Sequence, residues 1–326
     1  NGNITAQGKS VSRVRVNGKD FFSGDPKAAT QQLSADMIDK VQVIDDYGDL
    51  ANISGIKDGE PDKIINLQLK KDRNKGIFSR TSVGAGSSDR YALGTNVNFF
   101  NNNKQVSVFG GANNNNTSTF NFDGSGGGGS SSGGGRGFQV RVGGNTQGGF
   151  GGDEGLRIAN SLGVNFRNDL ADKKGSVYGN YSYSTRETDV QQDVASQNFF
   201  QNTKFLNHQA SSSLSNSKSH RASLNFEWNI DSFNYVKFIP EFTTRASNSA
   251  SSSLFDYIRN NLDTTSKGSN TNKSTSVAPN FSGNLLFNHK FRKPGRNLSV
   301  NINGGYNSTD GDANKINVTN NYLPVK

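Results

Sequence analysis

A period-two alternation of apolar residues is the feature that most constrains how this chain can fold. In several segments after residue 76, apolar side chains occupy every second position over about nine residues, with Asn, Ser, Gly or Arg between them. The clearest cases run from Ala222 to Ile230 and from Leu298 to Tyr306. Because successive side chains of a strand point to opposite faces, these segments predict strands with one apolar and one polar face. A water-soluble sandwich gives the same alternation, so strand length and connections must decide.

Strand length and connection length favour a transmembrane β-barrel. A membrane-spanning strand needs about 9 to 11 residues, whereas strands of soluble sheets commonly have about 5 to 6. The predicted strands are of the longer kind: 77–86, 89–100, 104–113, 155–168, 175–187, 218–230, 232–247, 273–291 and 296–309. Long connections on one side (113–155, 188–217 and 248–272) alternate with short turns on the other, as in outer-membrane barrels. The predicted fold is mainly β: about nine antiparallel strands of a larger barrel of roughly 22 strands, the size that encloses a plugged lumen.

Aromatic residues near the strand ends predict two girdles at the bilayer interfaces. One set lies close to the short turns and the other lies toward the opposite ends: Phe99, Phe100, Phe166, Trp228, Phe233, Phe287 and Phe291 in the first, and Tyr91, Tyr183 and Tyr306 in the second. General β propensity also enriches strands in aromatic residues. The apolar fraction of only 31% fits the barrel, because only alternate strand positions need to be apolar.

The first 75 residues differ from the rest and predict a separate domain. Their net charge is +1 and about three residues in ten are charged, whereas residues 76–326 carry a net charge of +8 at about half that density. We therefore divide the chain into domains 1–75 and 76–326. The first is predicted to be a small α+β unit, with strands at 11–16, 40–44 and 64–70. A short helix is predicted from Asp25, a suitable N-cap followed by Pro26, to Leu33, and a second helical turn at 35–39.

Signals for catalysis are weak. The three histidines, His208, His220 and His289, fall in separate predicted regions, and no nucleophile elbow, a Gly-x-Ser-x-Gly turn between a strand and a helix, is predicted. The absence of cysteine excludes disulfides and thiolate metal sites. The sequence therefore predicts a protein that is not an enzyme, with no catalytic residue, cofactor or metal site.

Several binding motifs are incomplete. Gly8-Lys9-Ser10 lacks the earlier glycine of a phosphate-binding loop and is predicted to be a turn. Asp310, Asp312 and Asn314 have the first spacings of a calcium loop but not the later ones, so a solvated loop is predicted. The glycine-rich segment 123–137 is predicted to be an outer loop. Positive residues are dispersed, which argues against nucleic acid as a partner. The ligand-binding residues remain unassigned.

Three segments of the first domain resemble a known family. The order NGKDFFSGDP (Asn17–Pro26), LSADMIDKVQVID (Leu33–Asp45) and DKIINLQLKKDRNKG (Asp62–Gly76), followed directly by aromatic strands, resembles the plug and plug-to-barrel junction of TonB-dependent outer-membrane receptors. The resemblance is greatest to a branch common in Bacteroidota. It implies the C-terminal part of a plug domain followed by the first barrel strands. The signal peptide, the carboxypeptidase-regulatory-like domain and the TonB box of such proteins are expected upstream of this segment.

The resemblance implies a transporter in the outer membrane of a Gram-negative bacterium. Its expected partners are outer-membrane lipid, a TonB-type inner-membrane energy coupler, an unknown small nutrient ligand and, as a further candidate, a surface lipoprotein. A barrel without transport activity, serving in assembly, secretion or adhesion, is the alternative. In either case, charges of the plug are expected to pair with basic residues that face the lumen: Arg80, Arg167, Arg221, Lys237 and Arg245.

Overall fold

Two β-sheets account for most of the computed structural model. It describes residues 4–20, 33, 35–49, 51, 55, 57, 59–70, 75–101, 104–116, 155–170, 174–200, 203–260, 263–293 and 296–322. Over these residues the chain forms fifteen strands and one short 3-10 turn, Ala35–Met37. None of the helical segments in this part of the chain has the length and apolar character needed to cross a membrane.

The smaller sheet is built from five strands of the N-terminal segment. These are β1 (Thr5–Ala6), β2 (Lys9–Val16), β3 (Lys19–Asp20), β4 (Ile38–Asp46) and β5 (Asp62–Leu69). They are ordered β1-β2-β5-β4 with β3 beside β2, and only β2 and β5 are parallel. Asn17 and Gly18 both have positive φ, which the two-residue turn between β2 and β3 requires. The three predicted strands are confirmed; the predicted helix lies outside the described residues except for Leu33.

The larger sheet contains ten antiparallel strands in chain order. Its strands are β6 (Lys75–Ala85), β7 (Tyr91–Asn101), β8 (Lys104–Asn113), β9 (Leu156–Leu170), β10 (Gly175–Phe200), β11 (Thr203–Asn229), β12 (Asn234–Arg259), β13 (Asp263–Lys290), β14 (Asn297–Asn307) and β15 (Asp310–Asn321). Each strand from β6 to β14 pairs with the next. β14 pairs with the C-terminal half of β13, and β15 pairs with its N-terminal half. The prediction of a mainly β, antiparallel fold is confirmed.

The register of this sheet divides its side chains into two faces. We call the face that meets the small sheet the inward face and the opposite one the outward face. Phe100 and Phe109 belong to the inward face and join a buried core with Val14 and Val16 of β2. Because the pairing register from β9 to β12 runs without a shift, residues of one parity in each strand share one face.

The two faces have the reverse polarity of a water-soluble sandwich. On the inward face, Asn98, Ser107 and Asn288 are 3%, 0% and 1% exposed. On the outward face, large apolar side chains are exposed: Leu93, Val97, Phe99, Val106, Val108, Leu162, Leu224, Phe238, Phe242, Phe281, Leu285, Leu298, Val300 and Ile302. Soluble proteins bury apolar side chains and rarely expose a patch larger than a few hundred Å². The sandwich, the alternative left open by the sequence, is therefore contradicted.

The outward apolar residues form a band of limited height. In β11 the band begins at Trp228 and ends at His220, and Lys218 is the next outward residue. Eight residues at about 3.4 Å each give a band about 27 Å long along the strand. At the usual strand tilt of about 35 to 45° this is roughly 20 Å of height, against about 25 Å for outer-membrane barrels. In β7 the same distance separates Tyr91 from Phe99. We call this region the apolar band.

Beyond the apolar band, β10 to β13 continue as long paired arms. These strands have 26, 27, 26 and 28 residues, so in β11 about 17 residues extend past the band, roughly 55 Å at 3.3 Å each. The prediction that 188–217 and 248–272 are loops is therefore wrong. These segments are strands despite their Ser- and Asn-rich composition, because each pairs in register with its neighbours and thereby satisfies its backbone hydrogen bonds.

The segment after β14 forms a further strand, β15. β14 and β15 pair with β13 in one continuous register, interrupted only at residues 308–309. Pro279 lies opposite this interruption and has no N–H to donate, although its carbonyl accepts a hydrogen bond from the Ser308 N–H at 3.1 Å. The missing donor explains why the ladder breaks there and resumes at Asp310.

Phe100 corrects one part of the predicted aromatic girdle. It is 1% exposed and lies in the inward core, whereas its neighbour Phe99 is 41% exposed on the outward face. Two consecutive strand residues must point to opposite faces, so only one of the pair can face outward. Phe78 of β6 lies beside it, with the two ring centroids 6.1 Å apart. Farther along this face, a Cβ at Gly163 on β9 would overlap the ring of Phe109. Gly163 therefore permits this close packing.

Candidate functional site

Four charged residues and one tyrosine join the small sheet to one end of the large sheet. We call this end, which carries the short turns such as that between β11 and β12, the lower end. Lys19 of β3 forms an ion pair with Glu227 of β11. Lys237 of β12 lies 2.7 Å from Asp49 and 3.5 Å from Glu227, and Tyr178 of β10 donates a hydrogen bond to Glu227 at 2.7 Å. We call these five residues the junction network. It connects residues up to 208 positions apart in the sequence.

The junction network is largely shielded from solvent. The side chains of Lys237 and Glu227 are 7% and 14% exposed, and that of Asp49 is 33% exposed. A charge in such a position is costly unless it is paired, so two cations and two carboxylates hold each other in place. Lys19 also lies over the ring of Tyr178, with its Nζ 5.5 Å from the ring centroid. The network therefore fixes the small sheet at one position on β10 to β12.

A second ionic group stabilises the small sheet internally. Asp46, 4% exposed, accepts hydrogen bonds from Arg13 and Arg15, and Arg15 Nε donates to Asp20 at 3.1 Å. Burial by itself would lower the pKa of Arg15, but the carboxylates of Asp20 and Asp46 outweigh it and raise that pKa. Asp20 and Asp46 are therefore paired with arginines of the same small sheet.

A cleft of about 240 Å³ lies beside the junction network. Its lining includes Lys19, Arg167, Lys174, Glu227 and Tyr235. The cleft is at the lower end of the sheet, near the short turns. The next turn, between β11 and β12, is closed by Asp231, whose pKa is lowered by hydrogen bonds from the Asn234 side chain and the Phe233 N–H.

The five basic residues predicted to face the inside have inward parity. Of these, Lys237 reaches the small sheet through Asp49, as predicted. Arg167 instead pairs with Asp169 two residues along its own strand, with two hydrogen bonds at 3.0 and 3.2 Å. The sequence did not identify Glu227, which is the centre of the junction network. Its only signal was a carboxylate at a polar position otherwise occupied by Asn and Ser.

The histidines lie apart, as predicted. His208 Nε2 is 2.7 Å from Asp193 on the outward side of the arms. His220 lies at the top of the apolar band, where Tyr181 Oη is 2.9 Å from its Nδ1. His289 contacts Asn234 at the opposite end. No group of three or more potential metal ligands occurs among the residues that the structure describes.

The remaining motifs also take ordinary structural positions. Gly8 has a φ of +79° in the turn between β1 and β2, and Lys9 pairs with Glu60 at 3.1 Å, which confirms the predicted turn. Asp310 and Asp312 belong to strand β15, so the predicted solvated loop is wrong there; alternate strand residues share a face without converging on an ion. The glycine-rich segment 123–137 lies outside the described residues.

Comparisons with known proteins return only distant structural similarity. No family model and no curated protein matches the sequence. The ferric-catecholate import receptor Fiu from E. coli K12 is 10% identical with a TM-score of 0.27, over 95% of this chain and 61% of that one. The siderophore receptor PiuA from Acinetobacter baumannii is 10% identical with a TM-score of 0.25, over 96% and 57%. The pyoverdine outer-membrane receptor FpvA from Pseudomonas aeruginosa PAO1 is 10% identical with a TM-score of 0.25, over 98% and 52%. The chain thus spans between about half and three fifths of these receptors.

Proposed function

We propose that this chain is part of an outer-membrane transporter in which a small N-terminal plug domain occupies the lumen of a β-barrel. Residues 1–75 are the C-terminal part of the plug, and residues 76–326 are the first strands of the barrel. The ligand is a small nutrient that enters from the side of the long arms. A TonB-type coupler supplies the energy that moves the plug, and Bacteroidota is the proposed source.

The observation that carries this proposal is the inverted polarity of the large sheet. Its exposed face is apolar over about 27 Å along the strand, and its covered face is polar. A bilayer is the environment that stabilises the first face, and a hydrated or plugged lumen suits the second. The contacts of the small sheet with this covered face, through Phe100, Phe109 and the junction network, support the proposal that it is a plug.

Localisation tests the first part of the proposal. The full reading frame is expressed with its own leader in a Gram-negative host, and the membranes are separated on a density gradient. We expect the protein in the outer-membrane fraction, with faster gel mobility before boiling than after it. A protein that is soluble and monomeric without detergent would refute the barrel.

Plug movement tests the second part. The double variant Lys19→Cys/Glu227→Cys is treated with a bis-methanethiosulfonate reagent, whose spacer bridges the gap that the two long side chains span and is released by reduction; each single variant is the control. We expect the cross-linked double variant to bind ligand but lose uptake, and reduction to restore uptake. Equal uptake before and after reduction would show that the small sheet need not move.

The arms support a second candidate function, a surface component without transport. They extend roughly 55 Å past the apolar band, which is farther than transport requires, and present polar side chains suited to contact with other macromolecules. Deletion of the energy coupler separates the two candidates: uptake is lost if the protein is a coupled transporter, whereas surface attachment is unchanged if it is an adhesin.

A further inference from the structure

Two cavities lie on the outward face of the large sheet, one within the apolar band and one above it. The first has a volume of about 330 Å³, extends from β9 to β12 and is lined mainly by apolar side chains, including Val164, Phe166, Tyr181, Leu224, Pro240 and Phe242. The second has a volume of about 420 Å³, extends over β11, β12, β13 and β15 and is lined mainly by polar side chains, including Asn216, Asn248, Lys273, Thr275, Asp312 and Asn314. We call them the apolar groove and the polar cleft.

Small residues create the apolar groove. Gly179 lies between Phe166 and Leu224 in the register, and Ala222 lies between Tyr181 and Phe242. Because these two positions have little or no side chain, the larger side chains beside them form walls. The groove is at the centre of the apolar band, since Leu224 is four residues from either limit. A bilayer supplies acyl chains at this depth, so a flexible acyl chain is the occupant that the surroundings of the band provide.

A cation marks the upper limit of the band, between the two cavities. Lys218 is exposed, and its direct neighbours on the outward face, Thr185 and Ala246, are uncharged. Lys218 forms no ion pair with the residues that the structure describes, including Glu187, its diagonal neighbour on β10. An ammonium group at the level where lipid headgroups begin attracts the phosphate of a lipid.

The polar cleft suits a neutral ligand with several hydroxyl groups. It lies above Lys218, and Asn216 is six residues from Ala222, about 20 Å along the strand. Each asparagine amide offers both donors and an acceptor. Lys273 and Asp312 carry opposite charges, so the lining favours hydroxyl groups over an anion. Leu214 and Ala250 add an apolar surface for the C–H groups of a sugar ring.

The outward face of β11 therefore changes from apolar through cationic to amide-rich over about 34 Å, the ten residues from Leu224 to Leu214. A lipid with acyl chains, phosphate and sugars matches this series. We propose that this face binds lipopolysaccharide, the phosphorylated glycolipid of the outer leaflet, with an acyl chain in the apolar groove, a phosphate at Lys218 and a sugar in the polar cleft. This inference rests on the proposed outer-membrane location, with the arms on the outer side, and specifies which lipid is bound and where.

Titration of the purified full-length protein in detergent, followed by native mass spectrometry, tests the proposal. The probes are a short-core lipopolysaccharide and phosphatidylglycerol, which has acyl chains and a phosphate but no sugar. Ala222→Phe fills the apolar groove, and the control Gly304→Phe adds the same ring in open space on the same face, in the row of Pro240. We expect the groove variant to bind both lipids at least about tenfold more weakly, because several methylene groups lose their contacts, and the control to bind within about twofold of the unaltered protein.

A second pair of variants tests the polar cleft. Asn216→Val/Asn248→Val removes two amides that lie opposite each other, and the control Ser212→Val/Ser252→Val alters an opposite pair on the same strands and face, outside the cleft. We expect the cleft variant to bind lipopolysaccharide about tenfold more weakly and phosphatidylglycerol with unchanged affinity, because the lost hydrogen bonds are to a sugar. The control should leave both affinities unchanged.

The outcomes separate this inference from the function on which it rests. All variants are first checked for outer-membrane location and for a gel mobility that changes on boiling. The inference is wrong, and transport stands, if the assembled protein binds neither lipid, if the cleft variant and its control lose affinity equally, or if the cleft variant weakens both lipids equally. A dimer that Ala222→Phe dissociates would also overturn it, since the groove would then hold a second copy of the chain. If the unaltered protein does not assemble in the outer membrane, both proposals fail.

Discussion

Leu224→Arg is the substitution that most directly tests where the large sheet resides. Leu224 lies on the outward face of β11, four residues from Trp228 and four from His220. It is therefore about 14 Å along the strand from either limit of the apolar band, at its centre. If lipid surrounds the band, an arginine here must place its charge at the bilayer midplane.

The expected cost follows from this depth. Arginine on the lipid face of an outer-membrane barrel costs about 2 to 4 kcal/mol at the midplane and about 0 to 1 kcal/mol near the interfaces. A cost of 2 to 4 kcal/mol lowers the folding equilibrium about 30- to 800-fold. The control is Leu214→Arg, on the same strand and face but ten residues away, beyond the band. The two leucines are similarly exposed, at 36% and 42%, so the control matches in chemistry and accessibility.

Urea titration of the protein refolded into lipid vesicles measures the difference. Folded and unfolded forms are separated by gel mobility without boiling. We expect the midpoint to fall strongly for the Leu224 variant and to change little for the Leu214 variant. In a water-soluble sheet both changes would be exposed substitutions within about 0.5 kcal/mol of neutral. Equal tolerance of the two variants would therefore refute the membrane interpretation of the apolar band.

Three further predictions concern packing, charge and pH. Gly163→Leu should cost at least about 1 to 3 kcal/mol in the same urea titration because a side chain there overlaps Phe109, whereas Gly304→Leu, in open space, should be close to neutral. Lys237→Met should cost about 3 to 5 kcal/mol, since it leaves two carboxylates of the junction network without this partner; an unchanged midpoint would show that the network adds no stability. The folded-state pKa of Asp231 is lowered, so its ionised carboxylate stabilises the turn fully above the ordinary pKa of 3.8. This stabilisation is lost as the pH falls through the lower folded-state pKa. The protection factors of the amides in that turn, which remove the intrinsic pH dependence of exchange, should therefore fall in acid, and Asp231→Asn should abolish this fall.

The strands of the apolar band could be predicted because lipid and lumen impose a strict alternation on each of them. Ala222 to Ile230 shows this signal within a single segment, without any knowledge of the neighbouring strands. The inward parity of Arg221 and Arg245 followed from the same alternation. The strands of the small sheet could also be predicted, since short apolar runs such as Ile64 to Leu69 indicate strands by themselves.

The arms and the junction network could not be predicted, for a common physical reason. The Ser- and Asn-rich segments of the arms have neither apolar periodicity nor strong β propensity, and they are strands because neighbouring strands continue to pair with them. The contact between Lys19 and Glu227 spans 208 residues and depends on how the two sheets dock. The burial of Phe100 likewise depends on Phe78 of the neighbouring strand and on the core shared with the small sheet, neither of which the local pattern reveals.

The unbroken register that links the apolar band to the arms limits how this protein can change in length. The apolar band determines which residues of β11 face outward, and the continuous pairing register extends the same division of faces into the arms. Insertion of one residue between Leu214 and Lys218 would exchange the faces of the β11 residues in the arm, whereas insertion of two would preserve them. A single-residue register shift does occur between β12 and β13, at Tyr257 and Ile258, near the far end of the arms. Natural variants of the arms should therefore differ by even numbers of residues below that point and by any number beyond it.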